Sequence, residues 1–250
     1  PVSTMHRSRM FKKVVPVTKE NHSHLFVKGT DNFLFAKDFH IAPIALKEFF
    51  RAAAYYPIIF LEEPNSKEFR PVALLGLQQG ENLYIDDQGK WLVPYVPAAI
   101  RRYPFTLAPT QDPNQFLICV DEESELVGTE EGNPLFTAEG ELSETMEHVR
   151  KYLTELHQME QFTHQVCKEL KDMNLFTSMN LNFQNLGQTQ QIRGLYLVNE
   201  ENLNKLGDND FLKLRRSNAL PAIYAHLASL PQADRLAQFR RDGEVPQATN

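Results

Sequence analysis

The pattern of apolar and polar positions predicts both strands and helices along this chain. Continuous apolar runs at residues 57–61 and 72–77 flank a polar turn, which predicts a β-hairpin covered on both faces. Apolar runs or alternation also predict strands elsewhere, at residues 80–85, 116–120, 176–183 and 192–198.

Apolar residues three and four positions apart predict two further elements. The first is a helix over residues 41–56, in which Leu46, Phe49 and Phe50 recur at helical spacing. The second is a long amphipathic helix that begins after Ser143, a suitable N-cap, and reaches about residue 174. Its apolar stripe favours packing against a sheet, and a homo-oligomer formed through the same stripe is the alternative.

Together these elements predict an α+β protein, with mixed, mostly antiparallel sheets packed by the long helix and by shorter helices. We expect a flexible basic arm at residues 1–13, one compact domain over 14–240 and a disordered tail at 241–250. Similar motifs in lobes 41–127 and 141–235 suggest an internal duplication, for example Glu-Asn-Leu at Glu81 and again at Glu201.

Composition and charge exclude several classes of function. The chain has 250 residues and a net charge of −6, so it lacks the basic surface that general nucleic-acid binding requires. The acidic run at residues 121–131 is expected to be a solvated loop. No apolar stretch is long enough to span a membrane, and the first 15 residues lack the apolar core of a signal peptide, so a cytoplasmic location is expected.

The sequence contains no recognised catalytic or metal-binding motif, so we assign no catalytic residue, no metal and no cofactor. Cys119 and Cys167 suggest neither a disulfide framework nor a zinc site. His157, Glu160 and His164 share one helix face, but a second Glu-x-x-His pair is missing, which favours a polar surface stripe over a metal site.

The stretch at residues 69–105 carries the candidate ligand-binding residues. Its carboxylates could hold a cation, adjacent arginines could bind a carboxylate in bidentate fashion, and its aromatic rings could supply a flat apolar surface. The structural interpretation is that Asp86 and Asp87 form a turn, an Asp–Arg ion pair ties this turn to the helix, and Trp91 lies in the core. The candidate residues are Glu81, Asn82, Asp86, Asp87, Trp91, Arg101, Arg102 and Tyr103.

Several motifs in this order resemble the SapC family of bacterial proteins, from Val14 to about Ala237. They are Tyr56-Pro57-Ile58, Pro71-Val72-Ala73-Leu74, Gly80-Glu81-Asn82-Leu83, Asp87-x-Gly89-x-Trp91, Tyr95-x-Pro97, Arg101-Arg102-Tyr103-Pro104-Phe105, Cys119-Val120-Asp121-Glu122, Leu135-Phe136 and Ala222-Ile223-Tyr224-Ala225-His226-Leu227.

The resemblance implies a non-enzymatic binding, assembly or accessory role with a protein or peptide partner. The family name implies an association with surface layers. Its members also tend to be encoded near halogenase-like and cupin-type proteins, which implies an accessory to a modification system. The alternative is a ligand- or metal-binding enzyme acting on a peptide or small metabolite. A peptide-transporter permease of the same name is excluded, because this sequence has no spanning segment.

Overall fold

The computed structural model describes residues 2–4, 10–29, 31–185 and 187–242. Helices contain 36% of the residues and strands 25%, and the strands pair mostly in antiparallel fashion. This confirms the α+β class. Residues 1 and 5–9 of the expected arm and 243–250 of the expected tail lie outside the described residues.

The chain divides into two compact units. Unit 1 comprises Pro1–Ser8, Phe33–Pro97 and Met159–Asn250, and unit 2 comprises Arg9–Asn32 and Ala98–Gln158. The single domain over residues 14–240 and the duplicated lobes stay predictions.

Strands and helices are numbered here in chain order. The strands are β1 (Val2–Thr4), β2 (Val14–Pro16), β3 (Phe26–Val27), β4 (Ile41–Pro43), β5 (Ile58–Glu62), β6 (Phe69–Leu74), β7 (Phe105–Pro109), β8 (Phe116–Asp121), β9 (Val127–Gly128), β10 (Asn133–Pro134), β11 (Phe176–Asn185) and β12 (Gln188–Val198). The helices are α1 (Lys19–His22), α2 (Phe49–Ala52), α3 (Ala98–Arg101), α4 (Glu144–Asp172), α5 (Glu200–Asn204), α6 (Asp208–Arg216), α7 (Ala219–Ser229) and α8 (Gln232–Asp242).

Unit 1 is built on one sheet, in which six of the described strands take part. Their order is β1-β12-β5-β6-β4, and β11 also pairs with β12. The predicted hairpin is confirmed, because β5 and β6 are antiparallel neighbours with Ile58 opposite Ala73. Residues 58–61 and 71–74 are all buried, so this part of the sheet is covered on both faces as expected. The strands predicted at 176–183 and 192–198 are confirmed as β11 and β12.

The helix predicted over residues 41–56 is wrong in its first part. Ile41–Pro43 forms strand β4, which pairs with β6, and helical structure begins only at the 3-10 turn Leu46–Glu48 and continues into α2. A residue that precedes proline disfavours the helical conformation, as Ala42 does here, and the sheet edge offers this segment backbone partners. Phe50, one of the apolar residues whose spacing predicted this helix, is 70% exposed.

The strand predicted at residues 80–85 is also wrong. This segment forms turns, with one isolated bridge between Ile85 and Trp91. Gly80 has a φ of 80°, which interrupts an extended backbone, and the N–H of Leu83 bonds to the carbonyl of Leu75. Tyr84 is fully buried, although this segment forms turns rather than a ladder of strand hydrogen bonds.

A buried histidine connects two strands of unit 1. Nδ1 of His226, on α7, donates to the carbonyl of Ile58 in β5 at 2.7 Å, and Nε2 accepts from the N–H of Val198 in β12 at 3.1 Å. Because one nitrogen must accept, the bonded ring is neutral. Burial lowers the pKa of His226 to about 4.

Unit 2 contains two small antiparallel sheets among its described residues, ordered β2-β8-β7 and β10-β3-β9. The strand predicted at 116–120 is confirmed as β8. The core of this unit combines strand and loop residues with the beginning of α4. Its fully packed members are Val27, Phe105, Val120, Leu135, Phe136, Met146 and Leu153.

The long helix α4 confirms the prediction from the apolar stripe. The hydroxyl of Ser143 accepts from the N–H of Met146 at 3.2 Å, which caps the helix as expected. Residues 144–158 belong to unit 2, and residues 159–172 belong to unit 1. Among the described residues, no helix combines the length and hydrophobicity that crossing a membrane requires.

Candidate ligand-binding site

A cavity of about 410 Å³ lies within unit 2. Its walls come from four parts of the chain: residues 27–29 at the end of β3, residues 101–105 from the end of α3 to the start of β7, Asn133 in β10, and the first turns of α4. The volume falls within the range typical of small-molecule sites, roughly 300–1,000 Å³. We call this space the unit 2 cavity.

Basic side chains surround the unit 2 cavity. Lys28, Arg101, Arg102 and His148 line it, and none of the described lining residues is acidic. Lys28 forms an exposed ion pair with Glu131 at 3.1 Å. In a chain of net charge −6, this local excess of positive charge favours an anionic ligand.

Two tyrosines contribute ring surface to the unit 2 cavity. The hydroxyl of Tyr152 donates to the carbonyl of Ala98 at 2.7 Å, and that of Tyr103 donates to Asp121 at 3.3 Å. The guanidinium of Arg101 lies over the ring of Tyr152, 5.8 Å from its centroid. Burial raises the pKa of Tyr103, which keeps its hydroxyl protonated. Since both hydroxyls already have structural acceptors, the rings rather than the hydroxyls are offered to a ligand.

The remaining lining is largely apolar and continuous with the core of unit 2. Val27, Phe105 and Leu153 are buried members of that core, and Val149 packs against it. Core packing therefore fixes the backbone segments that carry the basic side chains. The lining combines basic side chains with aromatic and aliphatic ones, which suits a ligand with an anionic group on an apolar body.

Asp121, at the end of β8, supports the wall of the unit 2 cavity. It is completely buried, although it begins the acidic run expected to be solvated. Its carboxylate accepts from the N–H groups of Lys12 at 2.8 Å and Lys13 at 2.9 Å, in addition to Tyr103. A buried carboxylate requires such donors, so the expectation of a wholly solvated run is wrong at this position.

The eight predicted site residues belong to two different units. Arg101, Arg102 and Tyr103 line the unit 2 cavity. The other five are in unit 1 and are not among the residues that line this cavity: Glu81, Asn82, Asp86, Asp87 and Trp91. Ligand binding by the full set stays a prediction.

Within unit 1, Glu81 and Asn82 bond to neighbouring parts of the fold. Glu81 accepts from the N–H of Leu77 at 2.8 Å and pairs with Nε of Arg240 at 3.1 Å. The amide of Asn82 donates to the carbonyl of Ala36 at 3.0 Å, and its oxygen accepts from the N–H of Tyr84. These bonds fix the loop between β6 and Trp91.

The following turn agrees with the structural interpretation of the sequence at Asp86 and Trp91. Asp86 accepts from the N–H groups of Gln88 at 2.9 Å and Lys90 at 2.8 Å, whereas Asp87 is exposed. Trp91 is 6% exposed, and its indole N–H donates to the hydroxyl of Tyr56 at 2.7 Å. This tryptophan is therefore a core residue of unit 1.

Sequence reasoning missed Lys28, His148 and Tyr152 as lining residues. A signal for two of them was present, because Thr145, His148 and Tyr152 follow one another at helical spacing beside the core stripe of α4. Lys28 carried no such signal, since its place depends on the pairing of the short strand β3.

The histidine-rich face of α4 does not gather metal ligands among the described residues, where no group of three or more His, Cys, Asp or Glu side chains could hold an ion. The ring of His157 packs on Phe116 in unit 2, with centroids 4.4 Å apart. His164 lies 3.5 Å from Glu68 in unit 1.

The fold and the unit 2 cavity define an α+β protein with a candidate site for an anionic ligand. The chain belongs to the SapC family, because the SapC family model matches residues 17–236, which is most of its length. No curated protein and no solved structure matched the chain.

Proposed function

We propose that this SapC-family chain is a non-enzymatic binding protein that takes a carboxylate-bearing peptide or small metabolite in the unit 2 cavity. The observation that carries the proposal is the lining itself: it holds basic, aromatic and aliphatic side chains, with no acidic residue among its described members. The role as an accessory or assembly protein, which the family implies, belongs to the same proposal.

Arg101 and Arg102 supply the recognition chemistry. A guanidinium presents its N–H groups in a planar fork that matches both oxygens of a carboxylate. Tyr103 and Tyr152 offer their rings beside these charges, because their hydroxyls are bonded elsewhere. A ligand with a carboxylate next to a flat or apolar group satisfies both features, as the last residue of a peptide does.

The lining supports binding more than chemistry. His148 is exposed on α4, and the described lining holds neither a carboxylate that could orient or activate it nor a cysteine that could act as its nucleophile. The lining residues can therefore account for ligand binding, whereas a reaction would need catalytic groups that they do not include.

A titration with N-acetyl-phenylalanine tests the proposal, and N-acetyl-phenylalanine amide is the matched ligand without the carboxylate. We expect the acid to bind and to raise the melting temperature, and the amide to do neither. Methionine at either arginine, in Arg101→Met and Arg102→Met, should weaken binding about tenfold, because a charged hydrogen bond is lost.

Arg150→Met is the matched control, because Arg150 is an exposed arginine of the same unit that pairs with Glu147 and does not line the cavity. Its affinity for N-acetyl-phenylalanine should equal that of the wild type. Equal binding of the acid and the amide, or no binding of the acid, would overturn the proposal.

A further inference from the structure

We infer that residues 10–13, called the strap, complete the unit 2 cavity by positioning Arg102 for carboxylate binding. This inference rests on the proposed function and names Phe11 as the positioning residue. The guanidinium of Arg102 lies over the ring of Phe11, 5.5 Å from its centroid. The same ring contacts Tyr103, with centroids 5.7 Å apart. Phe11 therefore touches two adjacent residues of the cavity wall without lining the cavity itself.

The strap is held in place by its backbone. Both oxygens of the buried Asp121 carboxylate are used, one for the N–H of Lys12 and the other for the N–H of Lys13. The carbonyl of Lys13 in turn accepts from the N–H of Glu122 at 2.9 Å. These bonds fix the backbone immediately before β2 and hold Phe11 in a defined position.

Asp121 also ties the strap to the cavity wall. The hydroxyl of Tyr103 donates to the same carboxylate that holds the strap. The strap, Tyr103 and Arg102 thus form one connected assembly, in which the chain's N-terminal segment supports a binding residue far away in sequence. The salt bridge between Lys13 and Glu122, at 2.8 Å, lies at the surface and adds little to this arrangement.

Stacking suits a binding arginine because it uses only the face of the guanidinium. The N–H groups point outward in the plane of the group, so an arginine that lies over a ring can still donate two parallel bonds to a carboxylate. The ring restricts the torsions of a long side chain before the ligand arrives, which reduces the ordering that binding requires. Phe11 should therefore raise affinity without contacting the ligand.

A purely structural role for Phe11 gives different results, and two substitutions separate the alternatives. Phe11→Leu keeps an apolar side chain but removes the π face, whereas Phe11→Tyr retains the face. If Phe11 positions Arg102, Phe11→Leu weakens binding of N-acetyl-phenylalanine about fivefold, whereas Phe11→Tyr binds it as tightly as the wild type. If Phe11 only fills space, Phe11→Leu lowers the melting temperature and leaves the affinity of the folded protein unchanged.

Phe116→Leu is the matched control, since Phe116 is a phenylalanine of the same unit that does not line the cavity and packs on His157. Its affinity for N-acetyl-phenylalanine should equal that of the wild type. Equal affinity of wild type and Phe11→Leu would overturn the inference, as would a loss in Phe116→Leu as large as that in Phe11→Leu.

A second measurement needs no ligand. The ring current of Phe11 should shift the Nε–H resonance of Arg102 in the NMR spectrum, which is assigned by its disappearance in Arg102→Lys. Phe11→Leu should remove the ring-current shift and move this resonance, and Phe11→Tyr should leave it in place. An unchanged resonance in Phe11→Leu overturns the positioning role. If the resonance moves as expected but N-acetyl-phenylalanine binds no variant, the proposed function alone is overturned.

Discussion

The loop at residues 80–91 of unit 1 and the segment at 101–105 of unit 2 use polar side chains in opposite ways. In the loop, Glu81 and Asp86 bond to backbone N–H groups within four residues of their own position. In the segment, Arg101 and Arg102 lie over aromatic rings and line a cavity. Both regions belong to the stretch that the sequence marked as one candidate site.

The difference shows that the bonding partners of a polar side chain indicate whether it stabilises the fold or is available to a ligand. Short carboxylates and amides reach nearby backbone N–H groups, and the bonds that result close a turn. Long basic side chains extend past their own backbone and bring charge to a surface shaped by other elements. Residue type alone did not distinguish these cases, because both regions combine charge with aromatic rings.

The largest expected effect tests whether the loop of unit 1 is structural. Trp91→Ala should lower the free energy of unfolding by about 3–5 kcal/mol, because it removes a buried ring and its bond to Tyr56. Chemical denaturation measures this change. Affinity for N-acetyl-phenylalanine, measured where the variant is still folded, should equal that of the wild type.

The exposed Phe50 provides the control for that substitution. Phe50→Ala should change the free energy of unfolding by less than about 0.5 kcal/mol, because its ring is 70% exposed. A stable Trp91→Ala variant that no longer bound the ligand would place the tryptophan in a binding site and reverse the comparison.

The second effect concerns the buried histidine of unit 1. His226 has its pKa lowered from 6.5 to about 4. At pH values between 4 and 6.5, His226 binds a proton in the unfolded chain but not in the folded chain, so acidification favours unfolding. The stability that the neutral histidine contributes is therefore fully present above pH 6.5. It is lost as the pH falls towards 4, which lowers the free energy of unfolding by about 3 kcal/mol.

Denaturation of wild type and His226→Gln between pH 7 and pH 4 measures this effect. The titrations of carboxylates are common to both proteins, so the difference between the two curves isolates His226. His164→Asn is the control, because His164 is an exposed histidine of the same unit. Parallel curves for wild type and His226→Gln would show that the histidine does not remain neutral in the folded state.

Local sequence signals explain which parts of the fold could be predicted. The hairpin of β5 and β6 follows from two apolar runs around a turn, and α4 follows from its stripe and the cap at Ser143. Residues 41–43 and 80–85 were misassigned, since β4 depends on pairing with β6 and the turns depend on bonds such as that from Asn82 to the distant carbonyl of Ala36.

The candidate site shows the same limit. Arg101, Arg102 and Tyr103 could be selected from sequence because basic and aromatic residues are adjacent there. Their neighbours in the cavity, Lys28 and Tyr152, come from elements that only the folded chain brings close. The burial of Asp121 could not be predicted for a related reason. Its donors are backbone N–H groups of the strap, and residue types do not indicate where backbone N–H groups lie.

The smallest expected effect is a difference in stability between substitutions of two neighbouring aspartates in the unit 1 loop. Asp86→Ala should lower the free energy of unfolding by about 1 kcal/mol, because its carboxylate bonds to two backbone N–H groups of the turn. Asp87→Ala should change it by less than about 0.5 kcal/mol, because that side chain is exposed. Thermal or chemical denaturation of the pair gives the difference directly. If the order were reversed, or if Asp87→Ala alone weakened binding of N-acetyl-phenylalanine, the loop could no longer be treated as a closed turn, and its carboxylates would return as candidates for recognition.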